Sequence, residues 1–364
     1  MGFKCGIVGL PNVGKSTLYN ALTKSKIEAA NYPFCTIEPN IGIVPIPDKR
    51  LDAIANVAHP KQVLPACMKF VDIAGLVAGA AQGEGLGNKF LAHIREVQAI
   101  AHVVRCFDDS EVSHVNGHVN PISDIETIDT ELCLADLESV DRAILKAAKL
   151  AKTGDKGARA QLAALEKIQE HLGSVGPVRN MPDLTEDDEV IINNLQLLSA
   201  KPVLYVANVA EDEIGGNKYV IAVQEYAASH NAHVIIVCAA IEAELSELDD
   251  DDKASFLADM NMSESGLDNL IRVGYDMLGL QTFFTAGPKE ARAWTIPQGA
   301  TAPTAAGVIH TDFIKGFIRA EVISYQDYID HNGESGAKEA GLWRLEGKDY
   351  LVKDGDVILF RVNT

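Results

Sequence analysis

No run of about 18 or more apolar residues occurs anywhere in the 364-residue chain, so a membrane-spanning helix has no segment in which to form. Met1 leads straight into a short apolar run without the charged leader of a secretion signal, and a cytoplasmic protein is expected. Cys5, Cys35, Cys67, Cys106, Cys133 and Cys238 contain no C-x-x-C pair, which argues against a disulfide framework or a zinc site. Most are expected as reduced, buried thiols. Positive charge is in deficit as well: 32 Lys and Arg face 51 Asp and Glu, a formal net charge of −19. That balance opposes indiscriminate attraction to nucleic acid, which needs cations that displace counterions from phosphates.

The deficit is uneven. From Leu280 to Thr364 nine Lys and Arg stand against eleven Asp and Glu, a balance of −2, and residues 1–279 carry −17. A polyanionic partner is expected to be tolerated better by the C-terminal part. Hydrophobic residues at 47% and charged residues at 23% leave no long stretch to be read as disordered. The length implies two or three domains at about 100–200 residues each.

Short, β-branched apolar runs recur at Phe3–Val8, Ile41–Ile46, Met68–Ile73, Ala101–Phe107, Val203–Asn208 and Val234–Cys238. Helical stretches separate several of them, which predicts a mostly parallel α/β sheet with ligand loops at the carboxyl ends of its strands. Between the fourth and fifth runs, roughly ninety residues from Asp108 to Lys201 show no strand pattern. Ile128, Leu132 and Ala135, then Leu137, Ile144 and Ala148, keep helical spacing up to the turn composition Thr153-Gly154-Asp155-Lys156-Gly157. Leu162, Leu165 and Leu172 resume it, predicting an antiparallel helical hairpin. Its role is open between a packed insertion and an arm for a partner. From about Leu280 the texture changes to a small β-rich domain, with strands expected at Glu290–Ile296, Gly307–Ile309, Arg319–Ser324 and Asp356–Val362.

The strongest motif is Gly9-Leu10-Pro11-Asn12-Val13-Gly14-Lys15-Ser16, a G-x-x-x-x-G-K-[ST] sequence between the first strand and a helix. Its glycines let backbone amides wrap phosphates, Lys15 neutralises phosphate charge, and the Ser16 hydroxyl is placed to ligate Mg2+. Asn12, Val13, Gly14, Lys15, Ser16 and Thr17 are thus candidate nucleotide contacts. After the third strand, Asp72-Ile73-Ala74-Gly75 is a D-x-x-G arrangement in which the carboxylate reaches the metal shell and the Gly75 amide senses the terminal phosphate. Thr36, between helix and strand, is the candidate switch threonine that completes the shell. Candidate metal ligands are therefore Ser16, Thr36 and Asp72. Glycines at 75, 79, 83, 85 and 87 leave that segment much backbone entropy to lose when phosphate contacts order it.

The run from Asp72 through Gly75, Gly79, Gly83, Gly85 and Gly87 to Leu91 resembles the glycine-rich second switch of the Obg class of P-loop proteins. Asn31–Asn40 resembles its YchF-type branch, the Obg-like ATPases, and Ala305–Asp312 is similar to a TGS domain. The resemblance spans nearly the whole chain. It implies a Ras-like P-loop nucleotide hydrolase domain over 1–279 with a coiled-coil insertion at 120–200, followed by a β-grasp TGS domain at 280–364. It also implies ATP and the ribosome, through its large subunit, as partners.

GTP-specific relatives carry N-K-x-D after the fifth strand, where this chain has Asn208-Val209-Ala210-Glu211. Val209 supplies no ammonium group and Glu211 carries its carboxylate one methylene farther out. A lost acceptor for a buried donor costs about 1–3 kcal/mol, so strong guanine selection should be gone. By the resemblance, Asn208 and Val209 border adenine. Leu76 stands where Ras-like proteins place a water-orienting glutamine. Turnover is then slow, or another group enters: the resemblance points to His114, and a bound K+ is a further route. His114 and His118 have H-x-x-x-H spacing, but Gly117 between them and the missing third ligand argue against a metal site. Lys15, Gly75 and His114 are the catalytic candidates. The leading expectation is a slow Mg-dependent ATPase switch; an Obg-class GTPase and a nucleotide-gated binding protein with incidental turnover are the alternatives. No sequence-specific DNA-binding motif is present, and no RNA-reading code is recognisable.

Overall fold

A computed structural model describes residues 3–24, 40–73, 86–109, 118–153, 155–174 and 176–363. In chain order its elements are β1 (Lys4–Val8), α1 (Lys15–Lys24), β2 (Ile41–Pro45), α2 (Lys49–Ala58), β3 (Gln62–Leu64), β4 (Cys67–Asp72), α3 (Leu86–Glu96), β5 (Ala99–Arg105), α4 (Pro121–Ala151), α5 (Lys156–Ser174) and α6 (Glu186–Leu195). There follow β6 (Val203–Asn208), α7 (Lys218–Ser229), β7 (His233–Val237), α8 (Ala239–Leu245), α9 (Asp250–Asp259) and α10 (Gly266–Met277). The chain ends with β8 (Leu280–Ala286), β9 (Glu290–Pro297), α11 (Ala302–Ile309), α12 (Asp312–Gly316), β10 (Phe317–Ile323), α13 (Tyr325–Asp330), α14 (Glu334–Glu339), β11 (Arg344–Glu346) and β12 (Val357–Val362).

The chain divides into two compact units, one of residues 3–42 and 69–270, the other of 1–2, 43–68 and 271–364. A boundary read along the sequence at 279/280 holds no hint of the 43–68 excursion, which supplies α2 and β3 to the unit containing the C-terminus.

The first sheet has the order β2-β4-β1-β5-β6-β7, with β1 parallel to β4 and β5, β5 to β6, and β6 to β7. Burial of every residue of β5 and β6 explains why these strands are mostly apolar and do not alternate with polar residues. Such a sheet aims the ends of β1, β4, β5, β6 and β7 at one edge, which is where the site forms.

The expected helical hairpin is present. Asn120 caps α4 by accepting from the Ser123 amide at 3.3 Å, with Pro121 in the first turn. Val140 and Ala147 of α4 pack with Leu165, Ile168 and Leu172 of α5. At the foot of the pair the buried Asp136 carboxylate accepts from the Leu198 amide at 2.8 Å and from the Ser199 amide and hydroxyl, both at 2.7 Å. Arg179 reaches Asp129 at 2.5 Å. These buried bonds fix the register of α4 against residues 179–199, because leaving either partner unmet is costly.

The second sheet has the order β11-β10-β12-β8-β9-β3, with β8 and β9 antiparallel and β12 parallel to β8. Its core joins Phe283, Ile296, Phe317, Val322 and Ile358 to Ala302, Ala305 and Ala306. Here one expectation is corrected: Gly307–Ile309 is the last turn of α11 and forms no strand. The β-branched Val308 and Ile309 suggested extension, but the alanines before them carry the contacts, and their small side chains let a helix lie close to the sheet. Among the described residues no helix is long and apolar enough to cross a membrane.

Candidate functional site

The loop from β1 to α1 is shaped by close backbone approach. A Cβ on Gly9 would lie 2.7 Å from the Val103 carbonyl oxygen, and one on Gly14 would lie 2.2 Å from Asn208 Nδ2. Gly14 has φ +91° and Asn12 φ +64°, both left-handed, so the chain curls tightly before α1 begins. The Leu18 amide then donates to the Gly14 carbonyl at 3.0 Å, closing the first helical turn. The first amides of a helix have no intrahelical acceptor, and such a helix start is an arrangement that receives an anion.

Around this loop lies a concavity of about 550 Å³ lined by Leu10, Pro11, Asn12, Gly14, Lys15, Ser16, Thr17 and Asp72. Lys15 is buried and its ammonium is paired with the Asp72 carboxylate, brought from the end of β4. Nearby, burial together with the Asp72 charge pushes the Tyr19 phenol above its usual range. Ser16 and Asp72 are hard oxygen donors on one wall, and among the described residues no group of three or more His, Cys, Asp and Glu forms a metal cage. Such a donor set fits Mg2+, which takes few protein ligands and keeps water and phosphate oxygens for the rest.

A second cleft, about 800 Å³, shares Asn12, Gly14 and Thr17 with the first and adds Phe107, Asp108, Asp109, Asn208, Val209, Glu211, Cys238, Ala239 and Ala240. Asn208, 4% exposed, is its organiser: Nδ2 donates to the Val13 carbonyl at 2.9 Å and Oδ1 accepts from the Ala239 amide at 3.0 Å. The side chain thereby ties β6, the phosphate loop and the start of α8 together. The opposite wall is held by Arg105, 1% exposed, whose Nε and Nη2 donate to the carbonyls of Phe107 at 3.1 Å and Asp109 at 3.2 Å. Its guanidinium also lies 4.7 Å from the Phe107 ring centroid. Asn217 donates to the Cys106 carbonyl at 2.6 Å and the Tyr219 hydroxyl to Asp108 at 2.9 Å. Burial raises the Cys238 thiol above its usual range, so it contributes an apolar wall and no thiolate.

The two cavities thus bring Asn12, Gly14, Lys15, Ser16, Thr17, Asp72, Asn208 and Val209 together, with Val13 reaching the site through its carbonyl. Thr36, Gly75 and His114 lie outside the described residues, while His118 is exposed. Sequence reading missed Phe107, Asp108 and Asp109, which the rule that ligands sit at strand carboxyl ends would have found. Arg105 carries no such signal, since an arginine at the end of an apolar strand reads as a surface residue until its burial is known.

Comparison with known proteins agrees with this geometry. A family model described as "50S ribosome-binding GTPase" matches residues 4–136, and the C-terminal model of the YchF GTPases, described as "Protein of unknown function (DUF933)", matches residues 280–363. The "Ribosome-binding ATPase YchF" of Pasteurella multocida is 62% identical over 363 residues, covering 100% of each chain. The protein of the same name from Bacillus subtilis is 54% identical over 366 residues, again covering 100% of each. A solved structure, the Schizosaccharomyces pombe YchF GTPase, superposes with a TM-score of 0.90 at 39% identity, covering 99% of this chain and 98% of that one. With full-length identity of this order, and a phosphate loop set against the end of β6 as the motifs required, the chain belongs to the YchF family.

Proposed function

We propose that this protein is a Mg-dependent ATPase switch that binds the ribosome. One observation carries the nucleotide reading: the phosphate loop with Lys15 and Asp72 opens directly into a second cleft whose floor is Asn208-Val209. Phosphates fit the first space, where Lys15 and the α1 amides offset their charge. The base fits the second, between the Phe107 wall and the Cys238–Ala240 wall. The ribosome enters through the names of the full-length relatives, each a ribosome-binding ATPase.

Adenine over guanine rests on Val209 and Glu211. A lysine at 209 would cover the base and an aspartate at 211 would accept its two donors, and neither is present. Ser16 and Asp72 would hold Mg2+, which would supply positive charge to offset that of the phosphates. In this reading Thr36 completes the metal shell, the Gly75 amide senses the γ-phosphate, and His114 positions the attacking water, giving ADP and inorganic phosphate.

Equilibrium titration with fluorescent ATP and GTP analogues and magnesium tests the assignment, with Lys15→Ala as the blank. ATP binding tighter than GTP and lost in the variant is the expected result; a GTP preference would return the chain to the GTPases. Turnover with and without ribosomes, and with K+ in place of Na+, then separates a switch from a protein whose hydrolysis is incidental. His114→Ala should keep ATP binding and lose turnover.

A further inference from the structure

The second sheet has one face that is closed at one end and open at the other. Ala320 and Val322 of β10 and Ile358 of β12 belong to its core, so strand alternation turns Arg319, Glu321, Leu359 and Arg361 to the opposite face. Over β8 that face is covered by α2, whose Arg50 guanidinium lies 5.3 Å from the Phe284 ring centroid. Over β10–β12 it is not. Leu345 of β11 stands opposite Glu321, and Glu321 stands opposite Leu359, so the three make a row across the sheet. The register slips between Phe317 and Arg319, and this bulge turns Ile318 outward beside Arg319. Ile318, Leu345 and Leu359 are 56%, 55% and 42% exposed.

Glu321 is only 3% exposed although it sits on the open face, because two guanidinium groups cover it. Arg361 Nε and Nη2 donate to its two carboxylate oxygens at 2.9 and 3.0 Å, and Arg319 Nη2 donates to Oε1 at 3.3 Å. A carboxylate engaged in this way fixes two planar forks in place. The arginine side chains nevertheless remain 49% and 50% exposed, which leaves further N–H donors open to solvent. Two positive charges over one negative give a surplus of one. Glu334, the other carboxylate near Arg361, is paired with Lys338 of its own helix. One exposed aliphatic side chain needs no explanation, but three around a braced arginine pair gain nothing from water and are not required by the core beneath.

We propose that this face docks an amphipathic helix of a partner protein, apolar at i and i+7 and carrying a carboxylate at i+3 or i+4. Spacing selects the helix. Adjacent strands lie about 4.8 Å apart, so Leu345 and Leu359, on either side of β10, stand about 10 Å from each other. Seven residues of helix rise about 10.5 Å. The guanidinium groups over Glu321 lie between the two leucines, where the i+3 and i+4 positions of such a helix fall. Charge selects the acid, since braced guanidinium forks take a carboxylate bidentately and repel an ammonium group. A polynucleotide fits the face less well. Positions 318, 319, 321, 345, 359 and 361 include no aromatic side chain on which a base could stack, and residues 280–364 carry a balance of −2.

The experiment uses the full-length protein and two fluorescein-labelled, alanine-rich helical peptides of about 18 residues, followed by fluorescence anisotropy. Both carry leucine at i and i+7; one has glutamate at i+3 and i+4, the other lysine. The acidic peptide should bind, and the lysine peptide should bind about tenfold more weakly or worse. Leu345→Ser/Leu359→Ser should weaken the acidic peptide about tenfold or more, while Leu351→Ser, at another exposed leucine of the same unit, should stay within about twofold of the parent. Arg319→Gln keeps the Arg361 fork on Glu321 and should weaken binding about threefold or more, with a smaller dependence on salt. Circular dichroism checks that each variant is folded, and ATP turnover should be unchanged in all of them. Failure of the parent to bind the acidic peptide, equal binding of the two peptides, or full affinity in the double leucine variant would overturn the proposal. So would a single-stranded RNA of about 12 nucleotides that displaces the acidic peptide and binds the double leucine variant as tightly as the parent, since the face would then serve a polyanion.

Discussion

The side-chain amide of Asn208 donates to the main-chain carbonyl of Val13 at 2.9 Å across 195 positions of sequence. With the return bond from the Ala239 amide, one buried carboxamide joins the base cleft to the phosphate loop. Asn208→Ala leaves a buried carbonyl and a buried amide unmet, at about 1–3 kcal/mol, and should weaken ATP binding about tenfold or more without unfolding the protein. Titration with circular dichroism as the folding control measures both. Gly14→Ala should act on the same contact, since its Cβ meets Asn208 Nδ2 at 2.2 Å and its φ of +91° disfavours any side chain.

Base choice follows from two side chains in the second cleft. Val209→Lys with Glu211→Asp restores the groups that cover and accept guanine, so the double variant should gain GTP affinity about tenfold or more relative to ATP. Competition between the unlabelled nucleotides reads the ratio directly. An unchanged ratio would mean that the walls at Phe107 and Ala239 select the base.

Arg105 braces the cleft wall through the carbonyls of Phe107 and Asp109 and the face of the Phe107 ring. Arg105→Met removes the donors to Phe107 and Asp109 and should raise the KM for ATP about tenfold while changing kcat little. Arg105→Lys should not restore it, because an ammonium cannot span two carbonyls as the planar fork does. A proportionate fall in kcat with KM unchanged would contradict this assignment.

His102 gives a pH signature of folding. It is 1% exposed, its Nε2 has no partner among the described residues, and burial, reinforced by the Arg179 charge, depresses its pKa to about 3. Between about pH 6.5 and that value the unfolded chain binds a proton that the folded one refuses. Stability is therefore lost as pH falls, by about 1.4 kcal/mol per unit from this residue. Urea unfolding of the parent and of His102→Gln at pH 6.5 and 5 should show the variant losing about 2 kcal/mol less across that interval. Parallel losses would show that other groups control the acid limb.

Much of the nucleotide site was legible because its chemistry is local in sequence. Gly9 to Ser16 specify a turn, a helix start and a cation within eight residues, and Asp72 ends an apolar strand that points at them. Asn208 was legible as a base-side residue, but its bonds to Val13 and Ala239 were not, since they join three strand ends that only the parallel sheet order β1-β5-β6-β7 brings together. Arg105 and the Phe107–Asp109 wall were hidden for the same reason.

In the smaller unit, β-branched residues at 308 and 309 pointed to a strand, and packing of Ala302, Ala305 and Ala306 made a helix instead. Propensity is a weak prior where burial of a face decides the outcome. The sequence alone determined the phosphate loop, the alternation of strands and helices and the absent guanine-reading pair, all set by residue types at short spacing. Tertiary structure alone decided how Asn208 braces the loop, which wall Arg105 builds, and the attachment of residues 43–68 to the C-terminal unit, because each depends on contacts between segments far apart in the chain.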